Sequence, residues 1–126
     1  MRQLKSVSQD KVFYVFEGPV IKNIYELAEA LLAMSQKSFS HHVNSSKNDF
    51  ANWVRDVVDD AILALRLSAQ RDKREMEKIV KARIKELEIE HMPAHASKNL
   101  LKSGAVDFTI GLVVGIIAGL ILASLL

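Results

Sequence analysis

Phe108–Leu126 is a run of 19 residues without a single charge, and no other feature of the chain limits its fold so strongly. As a helix it rises about 28 Å, close to the roughly 30 Å of a bilayer's hydrocarbon core. Inside lipid each backbone N–H and C=O must be paired within the segment, so a lone span must be helical. Asp107 precedes the run, Lys98 and Lys102 lie upstream, and the sequence stops at Leu126. This layout reads as a tail anchor spanning 105–126, and the basic flank predicts a cytoplasmic N-terminal side in a single-pass cell-membrane protein. Met1–Lys11 is polar and carries no apolar stretch of the kind a secretory signal requires.

Gly111, Gly115, Gly119 and Ala123 recur at every fourth position and so share one helix face. Small residues at that spacing let two backbones approach closely, as in GxxxG pairing. The expected partners are therefore the lipid bilayer and a transmembrane helix, belonging either to another membrane protein or to a second copy.

Removing the span leaves enough chain for one small domain. The formal charge is +2, too small to argue for nucleic acid. Residues 1–70 balance eight basic against eight acidic side chains, while 71–102 hold nine basic and six acidic. The absence of Cys excludes disulfides, thiolate zinc sites and thiol catalysis.

Val12–Phe16 (VFYVF) reads as one short strand, ended by Glu17-Gly18-Pro19; with no second strand evident, it is expected to pack on helices or pair outside the chain. Asn23-Ile24-Tyr25-Glu26 has the form of a capping box, with Asn23 accepting from the Glu26 amide and Glu26 reaching back. The helix it starts carries Ile24, Leu27, Leu31 and Met34 on one face and should end near Ser35. Phe39–Val43 is expected to be a turn or short helix. After the polar break Ser45–Asn48, Asp49 is expected to cap a helix with Phe50, Trp53, Val54 and Val57 inward. Asp59-Asp60 mark a turn and a new helix start, where carboxylates suit the positive end of the helix. From Ala61 to about Glu90 no residue breaks a helix, but its apolar stripe is interrupted at Asp72 and Arg83, and its second half is charged enough to suggest a solvated stalk or half of a weak coiled coil. Pro93 closes it, and 91–104 forms a linker.

Phe16-Glu17-Gly18, Leu27-Ala28-Glu29-Ala30-Leu31, His41-His42-Val43-Asn44, Asn48-Asp49-Phe50-Ala51-Asn52-Trp53-Val54 and Asp59-Asp60 together resemble an uncharacterised prokaryotic domain family of unknown function with an HxN…NDFxxW motif. The resemblance covers about residues 13–67. It implies a small helical module, archaeal or bacterial, and brings no activity with it.

His42, Asn44, Asp49, Phe50 and Trp53 form the sharpest constellation. A His and a carboxylate across a turn can hydrogen-bond while Trp53 covers them. That arrangement serves either a small-ligand pocket or a clasp fixing the 44–48 loop to the Trp-bearing helix, and the clasp is the simpler reading because buried polar groups need partners. The four histidines do not suggest a metal site. His91 and His95 straddle Pro93, and adjacent His41 and His42 point apart on any regular element. Asp56, Asp59 and Asp60 read as helix-end carboxylates. Ser45 and Ser46 lack a nucleophile context, and no phosphate loop is present. The basic helix has no interleaved aromatics for nucleic acid.

The expected fold is mainly α: a small helical cytoplasmic domain (1–70) with one short N-terminal strand, a long charged helical stalk (61–90), a linker (91–104) and a single C-terminal transmembrane helix (105–126). The expected role is non-enzymatic and cofactor-free, an accessory or regulatory subunit of a larger membrane complex. The alternatives are a self-associating membrane adaptor and a ligand-sensing module built on His42, Asp49 and Trp53.

Overall fold

At Glu17-Gly18-Pro19 the chain folds back on itself, so that β1 (Phe13–Tyr14) runs antiparallel to β2 (Val20–Ile21), with Phe13 opposite Ile21 and Tyr14 opposite Val20. The computed structural model that shows this describes residues 2–93. The expectation of a lone strand is thus corrected: Val12–Phe16 supplies one arm of a hairpin within the chain. The turn needs special residues. Glu17 sits at φ 53°, and a Cβ on Gly18 would lie 2.8 Å from Val15 Cγ1. Pro19 cannot donate, but its carbonyl accepts from the Val15 amide at 3.1 Å.

Five α-helices follow the hairpin, making the described region mainly helical. Helix α1 (Ile24–Ala33) begins as its capping box predicts: Asn23 Oδ1 accepts from the Glu26 amide at 2.9 Å. The Glu26 carboxylate reaches one residue further back than expected, to the Lys22 amide at 2.9 Å. Ile24, Leu27, Ala28 and Leu31 face the core. Helix α2 (Gln36–His42) is capped by Ser35 and buries Phe39 and His42. Helix α3 (Asp49–Trp53) is capped by Asn48, which corrects the placement of that role on Asp49. It continues as a wider π turn, Val54–Val58, ending at Asp59 in the left-handed conformation (φ 65°). Asp60 then caps α4 (Ala61–Ser68), accepting from the Leu63 amide at 3.0 Å.

The unbroken helix expected over 61–90 is two helices. Helix α4 stops at Ser68, and α5 (Lys73–Glu90) starts after a short break. The Asp72 carboxylate accepts from the Glu75 amide at 2.9 Å, as a capping residue does. Nor is α5 a solvated stalk. Met76, Val80, Ile84 and Leu87 are buried in the same core as Ile24, Leu31, Phe50 and Leu63. At about 25 cal/mol per Å² of apolar surface, each such side chain contributes roughly 1.5–3 kcal/mol on burial. The charged residues expected to keep this helix in solvent divide between the two faces: Lys78, Lys81 and Lys85 are exposed, while Arg83 is buried.

Arg83 explains the interruption of the stripe. Its Nε donates to Asp60 Oδ2 at 2.8 Å and one terminal nitrogen donates to Glu86 Oε2 at 2.8 Å; Glu86 also accepts from Arg66 at 2.8 Å. Asp60 therefore caps α4 with one oxygen and ties α5 to it with the other. Burial works against the Arg83 charge, yet its bonds to Asp60 and Glu86 outweigh it and carry its pKa above the ordinary value.

Residues through Leu87 form one compact unit, and those from Glu88 onward belong to a second, of which 88–93 are described. The candidate span Phe108–Leu126, its glycine face Gly111, Gly115, Gly119 and Ala123, and the linker beyond Pro93 lie outside the described residues. Among the described residues no helix is long and apolar enough to cross a membrane.

Candidate functional site

The last residue of α2 and the first of α3 meet across the 44–48 loop. Val43 and Asn48 pair as an isolated antiparallel bridge, and the Asn44 amide donates to the Lys47 carbonyl at 3.0 Å. Asn44 Oδ1 accepts from both the amide and the hydroxyl of Ser46, at 3.0 and 2.8 Å. This closed loop brings His42 Nδ1 to 3.0 Å from Asp49 Oδ2.

The other ring nitrogen is also engaged. The Phe16 amide, which can only donate, lies 2.9 Å from His42 Nε2. Nε2 must therefore be the bare acceptor, so the imidazole is neutral with its proton on Nδ1, donating to Asp49. Asp49 Oδ2 is shared with Lys47 Nζ at 3.0 Å. Burial pushes the Asp49 carboxyl up, but the hydrogen bonds from His42 and Lys47 outweigh it and hold its pKa below the ordinary value.

An apolar shell surrounds the ring. Phe13 meets His42 edge-on at 4.9 Å between centroids, and Phe50 lies 5.2 Å away. Trp53 packs on Phe13, 5.9 Å between centroids, and its Nε1 donates to the Lys11 carbonyl at 2.8 Å. Trp53 thus touches the clasp through Phe13. Both His42 and Trp53 place their polar atoms on the backbone flanking β1, so two helices hold the hairpin through side chains. His41, perpendicular to His42, lies outside and stacks on Phe16 at 4.2 Å.

The constellation therefore divides. His42, Asp49, Phe50 and Trp53 converge, and both His42 nitrogens, the hydrogen-bonded Asp49 oxygen and the indole N–H are all committed within the protein. Asn44 faces elsewhere, onto a groove of about 530 Å³ between the 44–48 loop, α3 and the end of α4. Among the described residues no group of three His, Asp or Glu side chains comes together as a metal-ligand set.

Sequence reasoning missed two polar arrangements. Asn48 caps α3 through Oδ1 and also donates from Nδ2 to the Leu67 carbonyl at 3.0 Å, joining the start of α3 to the end of α4. Lys73 at the start of α5 donates to the Met34 carbonyl at 2.7 Å, closing the end of α1. A capping Asn before Asp49 was a readable signal for the first; nothing in the sequence marks the second.

No family model matches this chain, and neither the curated proteins nor the solved structures yield a match.

Proposed function

We propose that this chain is a non-enzymatic, membrane-anchored protein whose helical head works at the cytoplasmic membrane surface as an accessory or regulatory subunit of a larger membrane complex. The observation that carries this reading is the uncharged run Phe108–Leu126 with its face of Gly111, Gly115, Gly119 and Ala123. The commitment of the His42, Asp49 and Trp53 polar atoms to partners inside the fold supports a binding scaffold over a catalytic centre, since acid–base chemistry requires a group free to reach a substrate. The head and the span then supply two separate contacts to the complex.

The experiment is disulfide-free chemical cross-linking of full-length wild type and Gly115→Leu in native membranes. Loss of a hetero-adduct in the variant supports the subunit reading. Loss of a homodimer instead supports a self-associating adaptor, and unchanged adducts remove the glycine face from the account.

A further inference from the structure

We propose that the groove beside the 44–48 loop is the head's docking site for an acidic, leucine-bearing segment of a partner protein. The proposal deepens the binding role given to the head and rests on that reading, although its test does not involve the span.

The groove combines two kinds of surface. Buried Ala51 and Ala64 line it, and their small side chains leave the space open. Leu65 stands beside them, 74% exposed, and Ile62 one turn earlier on α4 is 50% exposed. An apolar side chain held out in this way gains only from apolar surface brought to it.

The charged lining is of one sign. Lys47, Arg55 and Arg71 line the groove and no Asp or Glu does. Lys47 is paired with Asp49, and Arg55 with Asp56 at 2.9 Å, both carboxylates lying off the lining. Arg71 has no carboxylate partner among the described residues. An incoming carboxylate finds one uncommitted guanidinium, which can hold it in bidentate fashion, and two further cations within the same walls. Asn52 and Gln70 add amides able to pair with a peptide backbone.

Charge and shape narrow the occupant. The chain's own linker, 91–104, carries Lys98 and Lys102 and no acid, so it does not complement the lining. An anionic headgroup surface is planar and would meet the exposed rim while leaving the concave wall unused. A protein segment carrying glutamates beside a leucine satisfies both the cations and Leu65, at a volume in the usual range for a binding cleft.

The test uses the full chain in phosphatidylcholine nanodiscs and a fluorescein-labelled peptide with glutamates flanking a leucine pair, read by fluorescence anisotropy. Its lysine counterpart is the control. Saturable binding of the acidic peptide that weakens with added salt is expected, with a loss of tenfold or more in Arg71→Glu and in Leu65→Asp. Leu32→Asp, at an exposed leucine on α1 away from the groove, should bind as wild type. Three results would overturn the proposal: no saturable binding of the acidic peptide, equal binding of both peptides, or binding indifferent to Arg71→Glu. So would protection of the groove by self-association, or by anionic vesicles in place of the peptide. Because Gly115→Leu reads the membrane contact separately, failure of the peptide leaves the subunit reading standing, and failure of the span leaves the groove standing.

Discussion

The Phe16 amide donates to His42 Nε2 at 2.9 Å across 26 positions of sequence, and that bond decides how the histidine functions. An imidazole that accepts from an amide on one nitrogen must offer its only proton from the other, so His42 reaches Asp49 as a donor. The hairpin, α2 and α3 are joined through one ring. In ¹⁵N–¹H correlation spectra of the folded protein at about pH 8, His42 should show a protonated Nδ1 and a bare Nε2. The reverse tautomer would contradict the clasp.

Removing the ring should be expensive. His42→Ala leaves a part-buried amide and the Asp49 carboxylate without their partner and opens a space against Phe13 and Phe50. A loss of about 2–4 kcal/mol is expected. Trp53 is the sole tryptophan and packs on Phe13, so its fluorescence during urea denaturation reports the change. A loss under about 0.5 kcal/mol would show that the clasp contributes little.

Asp49 contributes to stability on the acid side. Its folded pKa lies below its ordinary value, so its contribution is fully present above the ordinary carboxylate range and is lost as pH falls through the lowered folded value. The stability difference between wild type and Asp49→Asn should be constant above about pH 5 and shrink as the pH falls through the ordinary carboxylate range and below it. A difference independent of pH would mean that Asp49 acts through packing alone.

Asp60 is placed so that its loss cannot be absorbed. It is 2% exposed, caps α4 and receives the buried Arg83. Asp60→Ala should cost about 3–5 kcal/mol, because it leaves a buried guanidinium with Glu86 as its remaining carboxylate. The double variant Asp60→Ala/Arg83→Met should recover much of this. Neighbouring Asp59 gives the opposite case. It holds φ 65°, and its contact with Arg2 at 3.4 Å is exposed, so Asp59→Gly should be neutral or stabilising by up to about 1 kcal/mol.

Much of this fold was legible because its signals are local. Asn23 and Glu26 announce the start of α1, Asp59-Asp60 announce the turn into α4, and His42 with Asp49 is readable as a pair across a loop. The second strand was not legible because it is two residues long, and its pairing depends on the turn conformation of Glu17 and Gly18 more than on any alternating pattern. The break between α4 and α5 contains neither Gly nor Pro. Its one signal is Asp72 three residues before Glu75, which is outweighed in the sequence by charge pairs such as Arg71 and Glu75 that also suit a continuous helix. Arg83 looked like an interruption because its partner, Asp60, lies 23 residues away. The groove is the least readable feature, since Lys47, Arg55, Leu65 and Arg71 come together only through the packing of α3, α4 and the loop.

Native mass spectrometry of the tagged full-length protein, released gently from its own membrane, tests the central claim most directly. The chain is expected to emerge with different polypeptides at fixed stoichiometry. Recovery from the soluble fraction, or from the membrane with copies of itself alone, would contradict its role as an accessory subunit.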